Sequence, residues 1–274
     1  MKRFIDLGPP RAFAEGRMLA AQAEGIGLVT FNQPEKRNAI SVGMWQGLGE
    51  ILRGMEADPA VRVVILTGAG DQAFVSGADI SQFESQRGDH AAQRDYAARI
   101  QSGRDALRGF GKPMIAAIRG YCLGGGLAIA MAADLRLAGA GSRFGIPAAR
   151  LGIAYGFEGL RLLVSLIGPA RARMLLLSAR RIGAEEAQRI GLINQAVPDD
   201  ALEAEALALA GEIARNAPLA IQAARLGIAA VLQDPAQRDL ARLEALAATC
   251  ADSADYREGR TAFMEKRLPR FTGR

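Results

Sequence analysis

Apolar residues fall in short unbroken runs and in helical stripes that alternate along most of the chain. Met18 to Gln22 and Ile26 to Asn32 predict a β-hairpin joined through Ala23-Glu24-Gly25. Ser41 is the expected N-cap of a helix that carries Met44, Leu48, Ile51, Leu52 and Met55 on one face. Val61 to Thr67 is a continuous apolar run ending at Gly68-Ala69-Gly70, as expected of a strand buried on both faces, and Met114 to Ile118 repeats the pattern. Strand and helix in alternation predict an α/β fold of right-handed crossovers, with ligand chemistry at the strand ends. From Asp199 onward the pattern changes to Ala-, Leu- and Glu-rich helices broken at Pro218 and Pro235. Residues 1–198 are therefore expected to form an α/β core, and 199–274 a helical C-terminal region of the kind that often packs against a neighbouring subunit.

Composition narrows the class. At 274 residues and 50% hydrophobic, the chain is long enough to bury a sizeable core. No apolar run approaches the roughly 20 residues that span a bilayer, and Met1-Lys2-Arg3 leads into Gly8-Pro9-Pro10 rather than a signal-peptide core, so a cytoplasmic location is expected. Cys122 and Cys250 form no paired framework and suggest neither disulfide nor zinc. With no His or Asn motif beside it, Cys122 is expected to be a packed thiol. The formal charge of +5 suits an anionic partner, a phosphorylated small molecule or RNA. The arginines are scattered, however: Arg94, Arg99, Arg104 and Arg108 read as the solvated face of one helix. Aromatics at 5% offer no stacking platform, so nucleic acid is not the expected partner. The single histidine, His90, lies in a polar stretch between two helices with no partner motif and is expected to be an ordinary loop residue.

Two glycine-bearing stretches carry the candidate chemistry. Ser76-Gly77-Ala78-Asp79-Ile80 and Gly120-Tyr121-Cys122-Leu123-Gly124-Gly125-Gly126-Leu127-Ala128 each follow a strand-like run and open into a helix-like one. Backbone N–H groups at a helix start have no intrahelical partner, and together with the helix dipole they can stabilise a developing negative charge. The device suggested is an oxyanion hole. From the glycines alone, close packing of a helix on a strand is an equal alternative.

Six segments in order decide between these. Pro34-Glu35-Lys36-Arg37-Asn38-Ala39, Phe74 to Ile80, Gly120 to Gly126, Phe144-Gly145-Ile146-Pro147, Ala184-Glu185-Glu186-Ala187 with Gly191-Leu192, and Phe263-Met264-Glu265-Lys266-Arg267 together make the chain resemble the crotonase (enoyl-CoA hydratase/isomerase) superfamily over nearly its full length. The resemblance implies a spiral of ββα units, a C-terminal helical region used in a homotrimer or a dimer of trimers, and an acyl-CoA substrate. It implies no metal and no redox cofactor, coenzyme A being part of the substrate. The oxyanion amides carry over to Ala78 and Gly125. Lys36 and Arg37 match the residues near the CoA phosphates, and Phe263 and Lys266 match those that a neighbouring subunit contributes. Ala39, Ser76, Asp79, Ile80, Leu123 and Gly124 complete the implied substrate contacts.

The hydratase pattern is broken at two positions. Where hydratases of this family carry a pair of glutamates that handle water, this chain has Ala128 and Ala148, and a methyl group neither accepts nor donates a proton. Tyr155, in the turn Leu151-Gly152-Ile153-Ala154-Tyr155-Gly156, resembles the tyrosine of methylmalonyl-CoA decarboxylases, and its phenol could bind a substrate carboxylate or deliver a proton. Those decarboxylases carry histidine where Ala78 stands here. Glu158 and Asp79 are the remaining acids; each also suits a helix start. Three outcomes stay open: a decarboxylase of a malonyl-type CoA, a hydratase or isomerase using Glu158 or Asp79, and a non-catalytic acyl-CoA- or RNA-binding protein.

Overall fold

The computed structural model describes residues 3–79 and 90–274, with side chains described again from residue 96. Ile80 and the Gly88-Asp89 pair therefore lie outside the described residues. Strands β1 (Arg11–Phe13), β2 (Met18–Ala23) and β3 (Ile26–Phe31) form an antiparallel meander at one side of a seven-stranded sheet. The β2–β3 turn is two residues, tighter than the sequence pattern suggested: Ala23 pairs with Ile26, and Glu24 (φ 52) and Gly25 (φ 83) make the turn. Both φ values are positive, as the turn that matches strand twist requires.

The sheet continues in parallel through β4 (Val63–Gly68), β6 (Met114–Ile118), β8 (Leu135–Gly139) and β11 (Gln195–Val197). A second, four-stranded sheet contains β5 (Ala73–Val75), β7 (Tyr121–Leu123), β9 (Arg143–Gly145) and β10 (Ile182–Gly183), in the order β10-β9-β7-β5. Chain order explains the arrangement. β4 leads to β5, β6 to β7 and β8 to β9, so each circuit lays one strand in each sheet. Residues 114–118 are buried at every position, which is why an unbroken apolar run, and not alternation, marks β6.

Helix α1 (Val42–Ala57) starts where expected, with the Ser41 hydroxyl accepting from the Met44 N–H at 3.2 Å, and Met44, Leu48, Ile51, Leu52 and Met55 are all buried. Helix α2 (His90–Gly109) begins at His90, which corrects the expectation of a loop there. Arg99, Arg104 and Arg108 of α2 are exposed. Helices α1 and α2 approach so closely that a Cβ on Gly103 would lie 2.1 Å from the Trp45 carbonyl oxygen. Helix α3 (Gly125–Ala132) follows β7, and α4 (Phe157–Ser178) follows the 3-10 turn Pro147–Leu151. Beyond α5 (Ala184–Arg189), α6 (Leu202–Arg215) lays Leu202, Ala206, Leu207 and Ala210 in a second apolar cluster with Val63, Ile65, Ile115 and Ala117 of the large sheet. Helices α7 (Pro218–Val231), α8 (Leu240–Asp252) and α9 (Ala254–Glu265) complete the chain. Among the described residues no helix is long and apolar enough to cross a membrane.

Candidate active site

Ala78 and Gly125 come together. Outside α3 itself and the adjoining residue, a Cβ built on Gly125 would have, among the described residues, the Ala78 amide nitrogen at 3.8 Å as its one neighbour within 4 Å. Two local devices produce this. Around Ala78, the Ile40 N–H donates to the Gly77 carbonyl at 2.8 Å and the Asp79 N–H donates to the Ile40 carbonyl at 3.0 Å, a parallel bridge between Ile40 and Ala78. Alternate backbone groups of an extended segment point to opposite sides, so fixing residues 77 and 79 on Ile40 turns the Ala78 N–H the other way, toward Gly125. Gly125 is the first residue of α3, where an N–H has no intrahelical acceptor. Neither amide finds a hydrogen-bond acceptor among the described residues.

The neighbouring glycines do different work. Gly124, the N-cap, adopts φ 51 and ψ −112, a conformation that a side chain would make costly, and donates its N–H to the Gly145 carbonyl at 2.9 Å. A Cβ on Gly126 would stand 2.0 Å from the Val75 carbonyl oxygen, so this glycine lets α3 sit directly on β5. Close packing thus explains Gly126, while Gly125 beside it has room on the side of the Ala78 amide.

The loop ahead of the site is held by Asn38, which sequence reasoning quoted without a role. It is fully buried; its Nδ2 donates to the Ala69 and Ala73 carbonyls at 2.9 and 2.7 Å, and its Oδ1 accepts from the Gln33 N–H at 2.9 Å. Two bonds then tie this loop to the Ala78 segment. The Ser76 N–H donates to the Arg37 carbonyl at 3.1 Å, and Lys36 Nζ reaches the buried Asp79 carboxylate at 3.1 Å. Lys36 is therefore engaged with Asp79, and Asp79 is buried in an ion pair next to Ala78. Ala39 is half-buried on the same loop, and Leu123 presents its carbonyl 3.7 Å from where a Cβ on Gly77 would be.

Ala128 lies one turn into α3, its N–H on the Gly124 carbonyl at 3.1 Å, and so shares a face with Gly125. Ala148 sits in the 3-10 turn after β9, and both alanines are half-buried. Tyr155 packs against the main apolar core. Its hydroxyl oxygen is buried, with no hydrogen-bond partner among the described residues. Gly159 makes room for the ring, since a Cβ there would meet its Cε1 at 2.5 Å. Burial pushes the phenol pKa well above its usual value, the nearby Cys122 adds to the rise, and the positive charge of Arg104 opposes it. The phenol therefore keeps its proton through the ordinary pH range.

Glu158 does not share this environment. It is half exposed in the first turn of α4, paired with Arg161 at 3.2 Å, a surface pair one turn apart. Cys122 is fully buried, and burial raises its thiol pKa far above the usual value, the state of an inert packed cysteine. Phe263 and Lys266 lie on the C-terminal helices. Phe263 is 83% exposed and borders a cavity of about 450 Å³ with Cys250, Tyr256 and Phe271; Lys266 caps α9 in the left-handed region at φ 54. Arg136, which the sequence did not single out, is buried and donates to the Leu192 and Ala133 carbonyls at 2.9 and 2.6 Å, closing the far end of α3. Among the described residues no group of three His, Cys, Asp or Glu side chains could hold a metal ion.

The fold is an α/β spiral that brings the Ala78 and Gly125 backbone amides into proximity. The chain belongs to the enoyl-CoA hydratase/isomerase family, whose model matches residues 21–274. It is similar to the crotonyl-CoA hydratase of Syntrophomonas wolfei, 34% identical over 258 residues that span 93% of this chain and 97% of that protein. It is also similar to the short-chain-enoyl-CoA hydratase of Clostridium acetobutylicum, 36% identical over 242 residues covering 88% and 92% respectively. Among solved structures, an enoyl-CoA hydratase/carnithine racemase from Magnetospirillum magneticum superposes with a TM-score of 0.90 at 37% identity, covering 94% of this chain and 96% of that one. The crotonase-type fold expected from the six segments is thereby established.

Proposed function

We propose that this protein is an acyl-CoA enzyme that stabilises a thioester enolate between the Ala78 and Gly125 amides, and that it decarboxylates a malonyl-type CoA. The observation that carries this is the pair of neighbouring Ala78 and Gly125 amides, without acceptors among the described residues, with Ala128 one turn further along α3. In such a reaction the bond from the α-carbon to the carboxyl carbon breaks and its electron pair enters the enolate. CO2 leaves, and the α-carbon then takes a proton. No general base is needed. Two fixed donors placed where the negative oxygen forms are worth roughly 3 to 4 kcal/mol each, and the dipole of α3 adds to them. The methyl groups of Ala128 and Ala148 can neither accept nor donate the protons that water addition requires. Tyr155, protonated and with no hydrogen-bond partner for its hydroxyl among the described residues, supplies the proton or holds the substrate carboxylate before it leaves as CO2.

The curated relatives favour a second reading, hydration or isomerisation of an enoyl-CoA, because they are named for it. In this chain the candidate acids are committed elsewhere, Glu158 to Arg161 and Asp79 to Lys36. Three apolar side chains, Phe263, Met264 and Leu268, are each at least 80% exposed, which supports a homotrimer in which a neighbour covers them and receives Phe263 and Lys266. The deciding experiment incubates the purified protein separately with methylmalonyl-CoA, crotonyl-CoA and a 3-enoyl-CoA and identifies products by mass spectrometry. Loss of CO2 from the first alone is expected; hydration of crotonyl-CoA at ordinary hydratase turnover would overturn the proposal.

A further inference from the structure

The Ala78 N–H belongs to the peptide unit between Gly77 and Ala78, so its direction is the direction of that plane. In a trans peptide the N–H and C=O point opposite ways, and the Gly77 carbonyl is held by the Ile40 N–H at 2.8 Å. Gly77 itself resists rotation poorly. It sits at φ 126, and beyond its adjoining residues a Cβ there would have the Leu123 carbonyl oxygen, at 3.7 Å, as its nearest described neighbour. The plane therefore depends on the residues to either side. Upstream, the Ser76 N–H donates to the Arg37 carbonyl at 3.1 Å. Downstream, the Asp79 N–H donates to the Ile40 carbonyl at 3.0 Å, and the Asp79 carboxylate receives Lys36 Nζ at 3.1 Å.

Lys36 reaches Asp79 from a firm base. It ends the 3-10 turn Pro34–Lys36, its N–H donates to the Gln33 carbonyl at 3.0 Å, and its carbonyl accepts from the Ala39 N–H at 3.1 Å. With the Ile40 bridge, the ion pair closes a ring of contacts around Ala78: one link fixes the backbone on each side of the donor, and the other fixes the side chain that follows it. Charge adds a second effect. The Asp79 side chain is 7% exposed, and an unpaired carboxylate in that place, one residue from the donor, would oppose negative charge gathering on a thioester oxygen. The ammonium of Lys36 offsets it. Both effects act where charge develops, so both bear on turnover more than on binding.

We propose that Lys36 acts through Asp79 as a positioning residue for the Ala78 donor, a role that rests on the oxyanion reading above and differs from the contact with CoA phosphates that the family resemblance implies for it. The test compares the full-length wild type with Lys36→Met, Lys36→Arg and Asp79→Ala, using methylmalonyl-CoA and methylmalonyl-pantetheine, which has no phosphate. Thermal denaturation checks folding, and hydrogen–deuterium exchange is read on a peptide that contains Ala78. Lys36→Met and Asp79→Ala are expected to lower kcat about tenfold to 100-fold on both thioesters alike and to speed exchange at Ala78. Lys36→Arg, which keeps the pair, is expected to recover most of both. If Lys36→Met does not fold, Asp79→Ala carries the test, because a half-exposed Lys36 can turn to solvent. A loss confined to KM for methylmalonyl-CoA, with the pantetheine reaction intact, would make Lys36 a phosphate ligand and overturn the positioning role, as would unchanged kcat in Asp79→Ala. If the wild type turns over neither thioester, the decarboxylase reading fails and exchange alone decides: faster exchange at Ala78 in both variants, restored in Lys36→Arg, upholds the role, and unchanged exchange removes it.

Discussion

Gly125 and Gly126 stand side by side, yet an added methyl group has a different consequence at each. At Gly125 the nearest described atom outside α3 and the adjoining residue is the Ala78 nitrogen at 3.8 Å, so the chain folds, but the methyl stands in the space between the two proposed donors. At Gly126 it is driven to within 2.0 Å of the Val75 carbonyl oxygen. We therefore expect Gly125→Ala to melt with the wild type while losing about 100-fold or more in turnover, the scale of a lost oxyanion donor. Gly126→Ala is expected to lose about 1–3 kcal/mol of stability through overpacking. Denaturation and steady-state kinetics on both variants check the contrast, and an unstable Gly125→Ala would sink it. Tyr155 gives a complementary case. A buried hydroxyl without a partner costs about 1–3 kcal/mol of desolvation, so Tyr155→Phe should be at least as stable as the wild type while its turnover of the true substrate falls. If stability drops, the hydroxyl has a structural partner; if turnover is unchanged, the proposed acid or carboxylate-holding role is wrong.

At the scale of elements, what the sequence made legible was whatever a single segment determines by itself. The unbroken apolar runs became buried strands, the Ser41 cap opened α1, and the glycine stretches stood at the start of α3 and the end of β5 because turns and close approaches there depend on glycine. What depends on a distant partner was hidden. The aim of the Ala78 N–H is set by a bridge to Ile40, and nothing in either segment alone announces that pairing. Arg136 looked like one charge among many until the carbonyls it satisfies were brought around it. Tyr155 was recognised by its turn, but the burial of its hydroxyl was not foreseeable. Asn38 is the strongest example, since one side chain fixes the turn after β3 to the approach to β5 through three bonds to backbone groups. It also sits at φ 53, which asparagine tolerates better than alanine. Asn38→Ala should cost about 2–4 kcal/mol by leaving buried backbone groups unpaired. Asn38→Asp should be no better, because it sets a carboxylate against the two carbonyls that Nδ2 now serves. Chemical denaturation of both variants checks this, and recovery of stability in the aspartate form would show that those carbonyls were not the cause.

For the molecule as a whole, the last eight residues act as a strap across α9. The buried Asp255 carboxylate accepts from the Thr272 and Gly273 N–H groups at 2.7 and 2.8 Å, and the Arg274 carbonyl accepts from the Asp255 N–H at 3.1 Å. Arg62 donates to the Phe271 carbonyl at 2.6 Å, tying the strap to the core, while Arg225 of α7 pairs with Asp134 at 2.9 Å. Glu258 holds the start of the strap: it takes both terminal nitrogens of Arg267, at 2.6 and 2.9 Å, and the Arg270 N–H at 2.8 Å. The hydrogen bonds from Arg267 lower its carboxyl pKa most, the Arg270 N–H adds to this, and together they bring it from 4.5 to about 2. A carboxyl whose pKa is lower in the folded chain than in the unfolded one contributes stability that is fully present above the unfolded value, about 4.5, and is lost as the pH falls toward the folded value, about 2. The prediction is a difference between two curves, because other carboxylates protonate over the same range. Between pH 5 and pH 2.5 the melting temperature of the wild type should fall further than that of Glu258→Gln, which has no such proton to take up. Parallel curves would mean that the Glu258–Arg267 pair is as labile as an ordinary surface pair. Because Phe263 and Lys266 lie where α9 runs into this strap, convergence of the two curves in acid would also mark the pH at which those two proposed substrate contacts lose their support.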